Sequence, residues 1–354
     1  MGYKLAVLGA GIQGLTLCKL LAKNPGHELT LFDPGKDRIR PPWVLNRASF
    51  NLLFQLWQPF PLAFEHLGLK GPVLKWGNEP AKVLEQPSAA VFPHILLPYL
   101  KSQLDHLNNV SFSDIEPADL HEFDWVIDAR GRQPRPDPNT GGIGRHSAND
   151  AVAYGFFHGL KNEAAHRYLI ESVGEAWCFS TPCSGGVRYT QIVLSAAHQA
   201  QWQKHLPDIL QKLGLLTNRP RFEATKVKSF PCAPAISWPL FDQNYVLAGD
   251  AAMALDPIAG DGVGNNLRQS VLLSAIFNQK DTASIRQELS HYAYRLGGSF
   301  REHIRNRQSL LQQAHDRSPS FEAYMASLAL PDNFYQTVDG GAKYQLVEDA
   351  LVAL

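Results

Sequence analysis

Six residues near the start of the chain, Gly9-Ala10-Gly11-Ile12-Gln13-Gly14, have the spacing of a phosphate-holding turn. Gly9 permits a tight turn after a strand, Gly11 lets backbone approach a pyrophosphate, and Gly14 permits close packing of a helix on that strand. Exposed N–H groups and the positive end of the helix then attract phosphate. Asp33 closes the next apolar run and is placed to accept hydrogen bonds from adenosine ribose hydroxyls. A lone GxGxxG also occurs as an ordinary turn, but here the flanking strand, helix and acid agree on dinucleotide binding. This motif alone leaves NAD and FAD open.

A second constellation lies far along the chain, where the apolar run Val246-Leu247-Ala248 ends at Gly249-Asp250-Ala251-Ala252 and the string Asp256-Pro257-Ile258-Ala259-Gly260-Asp261-Gly262-Val263-Gly264-Asn265 follows. A carboxylate at a strand end suits sugar hydroxyls, and glycines let backbone N–H groups lie beside a flat ring. The start of the next helix stabilises negative charge there. These residues resemble the C-terminal FAD fingerprint of the flavoprotein monooxygenase superfamily, which includes para-hydroxybenzoate hydroxylase-like enzymes, flavin halogenases, geranylgeranyl reductases and lycopene cyclases. The resemblance implies FAD as cofactor, with Asp250 on the ribityl chain and Pro257, Gly260, Gly262, Val263, Gly264 and Asn265 along the isoalloxazine. Gln13 joins Gly9, Gly11, Gly14 and Asp33 as the N-terminal cofactor-binding residues. It further implies an α/β fold: a Rossmann-like FAD-binding domain with an inserted smaller sheet-plus-helix substrate domain. The implied activity is that of an oxidoreductase, hydroxylating an aromatic or indole-type substrate through a flavin hydroperoxide.

The departures from that superfamily narrow the expectation. Hydroxylases carry an Asp-Gly pair after their middle strand, where this chain has Asp128-Ala129-Arg130-Gly131. That carboxylate serves pyrophosphate and NADPH in the hydroxylases, so the variant points away from NADPH use in their manner. The string is similar instead to lycopene cyclases and to flavoproteins of tryptophylquinone biogenesis, which implies a Trp-containing precursor protein as a substrate beside an aromatic small molecule. Met253 replaces the usual His, Gly264 the usual Asn, and Leu97 stands where the family often has Arg. Two other readings stay open: a lycopene-cyclase-like non-redox flavoenzyme, for which Glu171 and Glu175 are available acids, and a non-catalytic FAD-binding partner subunit. No residue is singled out as catalytic acid or base, and the electron donor is not identified.

Tyr3–Leu8 and Leu29–Phe32 read as the strands of a parallel crossover, and Asp124–Ala129 and Tyr245–Ala248 as buried strands. Helices are expected over Leu15–Ala22, Ile95–Leu107, His198–Leu213 and Asn265–Asn278, with a long charged one over Arg286–His315. Residues 38–93 are dense in Pro, Trp and Phe and read as an insertion. A FAD-binding domain is expected from residues 1–45, 91–145 and 240–318, a cap from 46–90 and 146–239, and a helical tail over 319–354. Trp43, Trp57, Trp76, Trp177 and Trp238 are candidate pocket walls, although packing is the commoner role of a Trp. His94 and His158 sit in apolar sequence and read as buried structural histidines. Arg38, Arg40 and Arg47 are candidate nucleotide contacts or surface charges. Cys178 and Cys183 read as two buried thiols rather than a redox pair.

Composition is that of an ordinary globular protein. Of 354 residues 45% are hydrophobic and 19% charged, and 33 Lys plus Arg balance 33 Asp plus Glu, so no net field draws nucleic acid. Four scattered cysteines have no metal-ligand spacing and suit a reducing, cytoplasmic setting. The first residues lack a signal-peptide pattern, Ala6 breaks the myristoylation pattern, and no apolar run is long enough for a transmembrane segment.

Overall fold

The five-residue runs that begin the chain are apolar on both sides, which suits strands covered on both faces of a parallel sheet. In the computed structural model they are β1 (Lys4–Leu8) and β2 (Glu28–Phe32), joined by α1 (Ile12–Leu21). The structure describes residues 2–33, 41–60, 66–114, 120–132, 143–147, 151–159, 166–173, 176–195, 227–278, 282–314, 344–347 and 350–353. Next come β3 (Trp43–Asn46), α2 (Arg47–Leu56), β4 (His66–Leu69), β5 (Gly71–Lys75), β6 (Lys82–Val83), β7 (Ser88–Val91) and α3 (Pro93–Ser102). The middle contains β8 (Val110–Ser113), β9 (Trp125–Asp128), β10 (Gly144–Ser147), β11 (Ala151–Gly159), β12 (Arg167–Val173), β13 (Ala176–Pro182), β14 (Val187–Ser195) and β15 (Lys228–Pro231). The last third holds β16 (Ala235–Trp238), β17 (Phe241–Asp242), β18 (Tyr245–Leu247), β19 (Met253–Ala254), α4 (Gly262–Phe277), α5 (Thr282–Ala314), β20 (Tyr344–Val347) and β21 (Ala350–Ala353).

The site-bearing sheet has the order β17-β18-β9-β1-β2-β8. Its core strands run parallel, with Leu5 between Leu29 and Trp125, and Val246 beside Ile127. The carboxyl ends of β1, β2, β9 and β18 therefore gather the Gly9 turn, Asp33, Asp128 and Asp250 on one edge, where ligands of open parallel sheets bind. Every residue of α1 except Lys19 is buried, because α4 and α3 cover the flanks that the sheet leaves free.

A seven-stranded sheet of order β15-β11-β14-β13-β12-β5-β6 lies apart from the first, antiparallel except where β12 pairs β5. Its two faces serve different cores. Ala153, Trp177 and Val193 pack with Trp76, Cys232, Leu311 and Ile258, whereas Tyr154, Phe156, Cys178, Ile192 and Leu194 form a second cluster on the opposite face.

Several expectations are corrected. Of residues 46–90, only β5 and β6 join the seven-stranded sheet; Leu53, Trp57, Phe60, Ala89 and Val91 bury in the main core with β1 and α1. The helical spacing of Phe50, Leu53, Phe54 and Trp57, hidden among prolines and aromatics, sets that choice. Within the expected helical tail 319–354, the described residues form a β20–β21 hairpin. Both runs are mostly apolar and each holds a β-branched Val, which suits strands. The helix over His198–Leu213, Arg38, Arg40, Glu175 and most of the 133–144 linker lie outside the described residues. No helix among those described is long and apolar enough to cross a membrane.

Candidate flavin site

The turn after β1 has the geometry its glycines predict. Gly9 has φ +102°, and a Cβ there would lie 2.8 Å from the Ala129 carbonyl oxygen. At Gly14 a Cβ would lie 2.0 Å from the Gly9 carbonyl, so only glycine lets α1 rest this close to the turn. The N-cap of α1 is Gly11, with no side-chain cap, and no acid stands in the first turn. The helix end therefore keeps its positive partial charge facing outward. Asp33 is part-exposed at the end of β2, with its carboxylate 3.1 Å from Lys101 Nζ.

Gln13 and the Asp250 turn, distant in sequence, meet here. Gly249 has φ +61°, and its absent Cβ would stand 3.0 Å from Gln13 Cγ. The Gly249 N–H donates to Gln269 Oε1 (2.8 Å), which also accepts from the Tyr292 hydroxyl (2.8 Å). Yet Gln13 is 3% exposed and neither atom of its amide has a hydrogen-bond partner. Asn265 Nδ2 and Asn266 Oδ1, in the first turn of α4, are likewise buried without partners. A buried amide left unpaired is unfavourable by about 1–3 kcal/mol, and a polar ligand removes that penalty.

Two arginines that the sequence reasoning missed grip the Asp250 turn. Arg145 of β10 donates to the Asp250 carbonyl (3.0 Å), the Ala251 carbonyl (2.7 Å) and Ser237 Oγ (2.9 Å). Burial pulls its pKa down to about 10, which leaves it charged. Arg132 donates to the carbonyls of Ala233 and Leu255 and stands 3.7 Å from the Asp250 carboxylate. Their only sequence signal is position, on either side of the Pro- and Gly-rich linker.

The segment after Asp250 is anchored at both ends and open between. Asp256 is buried: Oδ1 accepts from the Ile258 N–H (2.9 Å), Oδ2 from Arg307 Nε (2.6 Å), and its own N–H donates to His303 Nε2 (3.1 Å). Burial holds His303 down to about 4, so it is neutral and accepts that bond. At the far end Asp261 accepts from Ser49 Oγ (2.8 Å) and pairs with Arg268 (2.5 Å). A Cβ at Gly260 or Gly262 would meet nothing within 4 Å, which leaves a backbone-lined opening. Pro257 and Val263 flank it and are half-buried. A Cβ at Gly264 would strike Ser49 Oγ at 2.1 Å, so this glycine also seats α2 against α4.

The Asp128-Ala129-Arg130 string also has a physical account. Asp128 is fully buried, and Arg130 binds both of its oxygens (Nε to Oδ1 3.0 Å, Nη2 to Oδ2 2.8 Å). Tyr245 of the neighbouring strand donates to Oδ2 (2.7 Å) and accepts from Arg130 (3.0 Å). The carboxylate is thus engaged from within. Other expectations shift: His94 is exposed, not buried, because it falls on the solvent side of α3. His158 bonds Thr190 Oγ1 (2.9 Å). Trp57 is a core residue whose indole N–H donates to Thr16 (3.2 Å), and Trp76 donates to the Leu310 carbonyl (2.6 Å). Trp43 and Trp238 remain half-buried and Trp177 packs in the seven-stranded sheet. Cys178 is buried, its thiol pushed up to about 12 by desolvation, while Cys183 is only part-buried. Arg47 opens α2, and Leu97 packs against the main core.

The residues present fit an FAD. The glycine turn, the uncapped helix end, the unpartnered Gln13 amide and the Asp250 turn gather at the carboxyl edge of the sheet, where open parallel sheets hold dinucleotides. Among the described residues no cluster of three or more His, Cys, Asp or Glu is placed to hold a metal.

No family model matches the chain, and no curated protein matches its sequence. Solved structures do match. A peptidyl tryptophan dihydroxylase, QhpG, essential for tryptophylquinone cofactor biogenesis, superposes with TM-score 0.76 at 18% identity, over 100% of this chain and 86% of that one. The flavin-dependent halogenase CmlS matches with TM-score 0.73 at 15% identity, over 95% and 70% of the two chains. Pseudomonas aeruginosa PqsL in complex with 2-aminobenzoylacetate matches with TM-score 0.68 at 12% identity, over 92% and 99%. The chain has the fold of flavin-dependent monooxygenases and halogenases.

Proposed function

We propose that the chain is a FAD-dependent monooxygenase acting on an aromatic or indole-type group, and that this group is a Trp side chain of a partner protein. The observation that carries the cofactor assignment is the buried, unpartnered Gln13 amide at the junction of the Gly9 turn and the Asp250 turn. N–H groups at the start of α1 would hold the pyrophosphate, Asp33 and Lys101 the adenosine ribose, and Asp250 the ribityl hydroxyls. Backbone at Gly260 and Gly262 would border the ring. Bound there, FAD would supply redox and oxygen chemistry that side chains do not provide.

The reaction is balanced with dioxygen and a two-electron donor as co-reactants: one oxygen atom enters an aromatic C–H bond and the other leaves as water with two electrons and two protons. The chain's contribution is positional. Arg132, Arg145, His303 and Arg307 fix the backbone around Asp250 and Asp256, and the apolar layer of Trp76, Trp177, Val193 and Ile258 excludes water beside it. Asp128, enclosed by Arg130 and Tyr245, is not free for a nicotinamide dinucleotide, which favours a separate reductant. The likeness to QhpG supports the Trp side chain as substrate.

The test is co-expression of the FAD-loaded protein with Trp-containing precursor polypeptides, read by intact mass. Gain of one or two oxygen atoms mapped to a Trp is expected. Precursors that stay unmodified while the flavin turns over on free aromatic compounds would overturn the protein-substrate assignment.

A further inference from the structure

Along β14, Tyr189, Gln191 and Val193 point to one face of the seven-stranded sheet. Val193 packs in the cluster that Ile258 joins from the turn bordering the candidate ring site, so this face looks toward that site. Gln191 lies one step further along. Its cross-strand neighbours are Gly155 on β11 and Phe179 on β13. Gly155 presents no side chain, and the Tyr189 hydroxyl fills the space where its Cβ would be, at 2.1 Å. From there the Tyr189 hydroxyl reaches Gln191 Oε1 at 3.5 Å. The carbonyl end of the amide is thereby turned toward Tyr189. The other end, Nε2, is buried without a partner on a residue that is 6% exposed.

We propose that Gln191 is a specificity-determining residue of the substrate site: its Nε2 donates a hydrogen bond to an uncharged carbonyl oxygen on an aromatic substrate, and Tyr189 fixes its orientation. This rests on the flavoenzyme reading above and names the substrate class more narrowly. Two observations decide for a neutral acceptor. Gly155, Phe179, Tyr189 and Val193 bring no charge to the amide, and the two cations in that cross-strand row, Lys228 opposite Gly155 and Lys82 opposite Leu74, are exposed on the edge strands of the sheet. A carboxylate would be buried there without a counter-charge. An amide or ketone beside an aromatic ring meets both the donor and the Phe179 face, and the backbone amide of a peptidyl aromatic residue is one such group.

The experiment uses full-length protein, first scored for bound FAD by its visible spectrum. Equilibrium dialysis then measures binding of N-acetyltryptophanamide, indole and indole-3-acetate to the natural chain and to the variants Gln191→Leu and Tyr189→Phe. Dialysis needs no flavin signal, so the two readings separate. The natural chain is expected to bind N-acetyltryptophanamide more tightly than indole-3-acetate. Gln191→Leu should weaken N-acetyltryptophanamide about tenfold, the loss of one neutral hydrogen bond, and leave indole unchanged. Tyr189→Phe should weaken it by a smaller factor. Absence of FAD with this selectivity intact overturns the cofactor reading alone. Failure to bind N-acetyltryptophanamide, or binding that Gln191→Leu leaves unchanged, overturns the Gln191 assignment. So does equal loss for all three probes with a lowered melting temperature, which marks a structural role.

Discussion

Replacing Gln13 by Leu separates a residue kept for a ligand from one kept for packing. Gln and Leu have similar size and helix propensity, so the change acts through the environment. Gln13 is 3% exposed, and both amide atoms lack partners. A buried unsatisfied polar group is unfavourable by about 1–3 kcal/mol, so Gln13→Leu should stabilise the flavin-free protein by that order. The same change removes one or two hydrogen bonds to the bound dinucleotide, and affinity should fall about tenfold for each 1.4 kcal/mol lost. Urea unfolding of the flavin-free protein gives the first quantity, and flavin fluorescence titration the second. Stability should rise while FAD affinity falls. Unchanged FAD affinity in the variant would refute the reasoning, since the amide would then be a defect of the core.

Three further outcomes follow from the same geometry. Gly9→Ala puts a Cβ 2.8 Å from the Ala129 carbonyl at φ +102°; a strain of about 1–3 kcal/mol should show as FAD lost during purification, and full retention would contradict the turn's role. Arg307→Met leaves the Asp256 carboxylate buried without its cation, and urea unfolding should show about 3–5 kcal/mol lost, partly recovered by adding Asp256→Asn; a loss typical of exposed pairs would contradict the buried anchor. His303 has its pKa lowered to about 4 by burial, from an ordinary 6.5. The folded state thus binds fewer protons than the unfolded one between those values. Its contribution is complete above pH 6.5 and declines toward pH 4 by about 1.4 kcal/mol per pH unit. Burial shifts His27 in the same direction, and His303→Gln should flatten the acid limb of the stability profile.

The parallel core was legible because its signals are local. Val7, Leu31, Ile127 and Val246 sit in short apolar runs that end in Gly or Asp, and the chain need only pair them. Gly9, Gly14 and Asp250 were legible because a tight turn admits few residue types. Grips between distant elements left no local trace: nothing near Arg132, Arg145, His303 or Arg307 in sequence announces the carbonyls and carboxylates near Asp250 and Asp256 that folding brings to them. The packing role of Gly264 left no local trace either, because Ser49, whose Oγ a Cβ there would strike, is far away in sequence. The α2 helix was hidden by its own aromatics, whose spacing competes with a Pro-rich context. The two C-terminal strands are four residues each, too short for Val347 and Val352 to outweigh the helices before them.

The most direct test is the visible absorption spectrum of the purified protein before and after heat denaturation, with the released cofactor identified by mass. A flavin spectrum that releases FAD, and that Gln13→Leu and Gly9→Ala diminish, is the predicted result. A colourless protein that takes up no FAD on reconstitution would contradict the account.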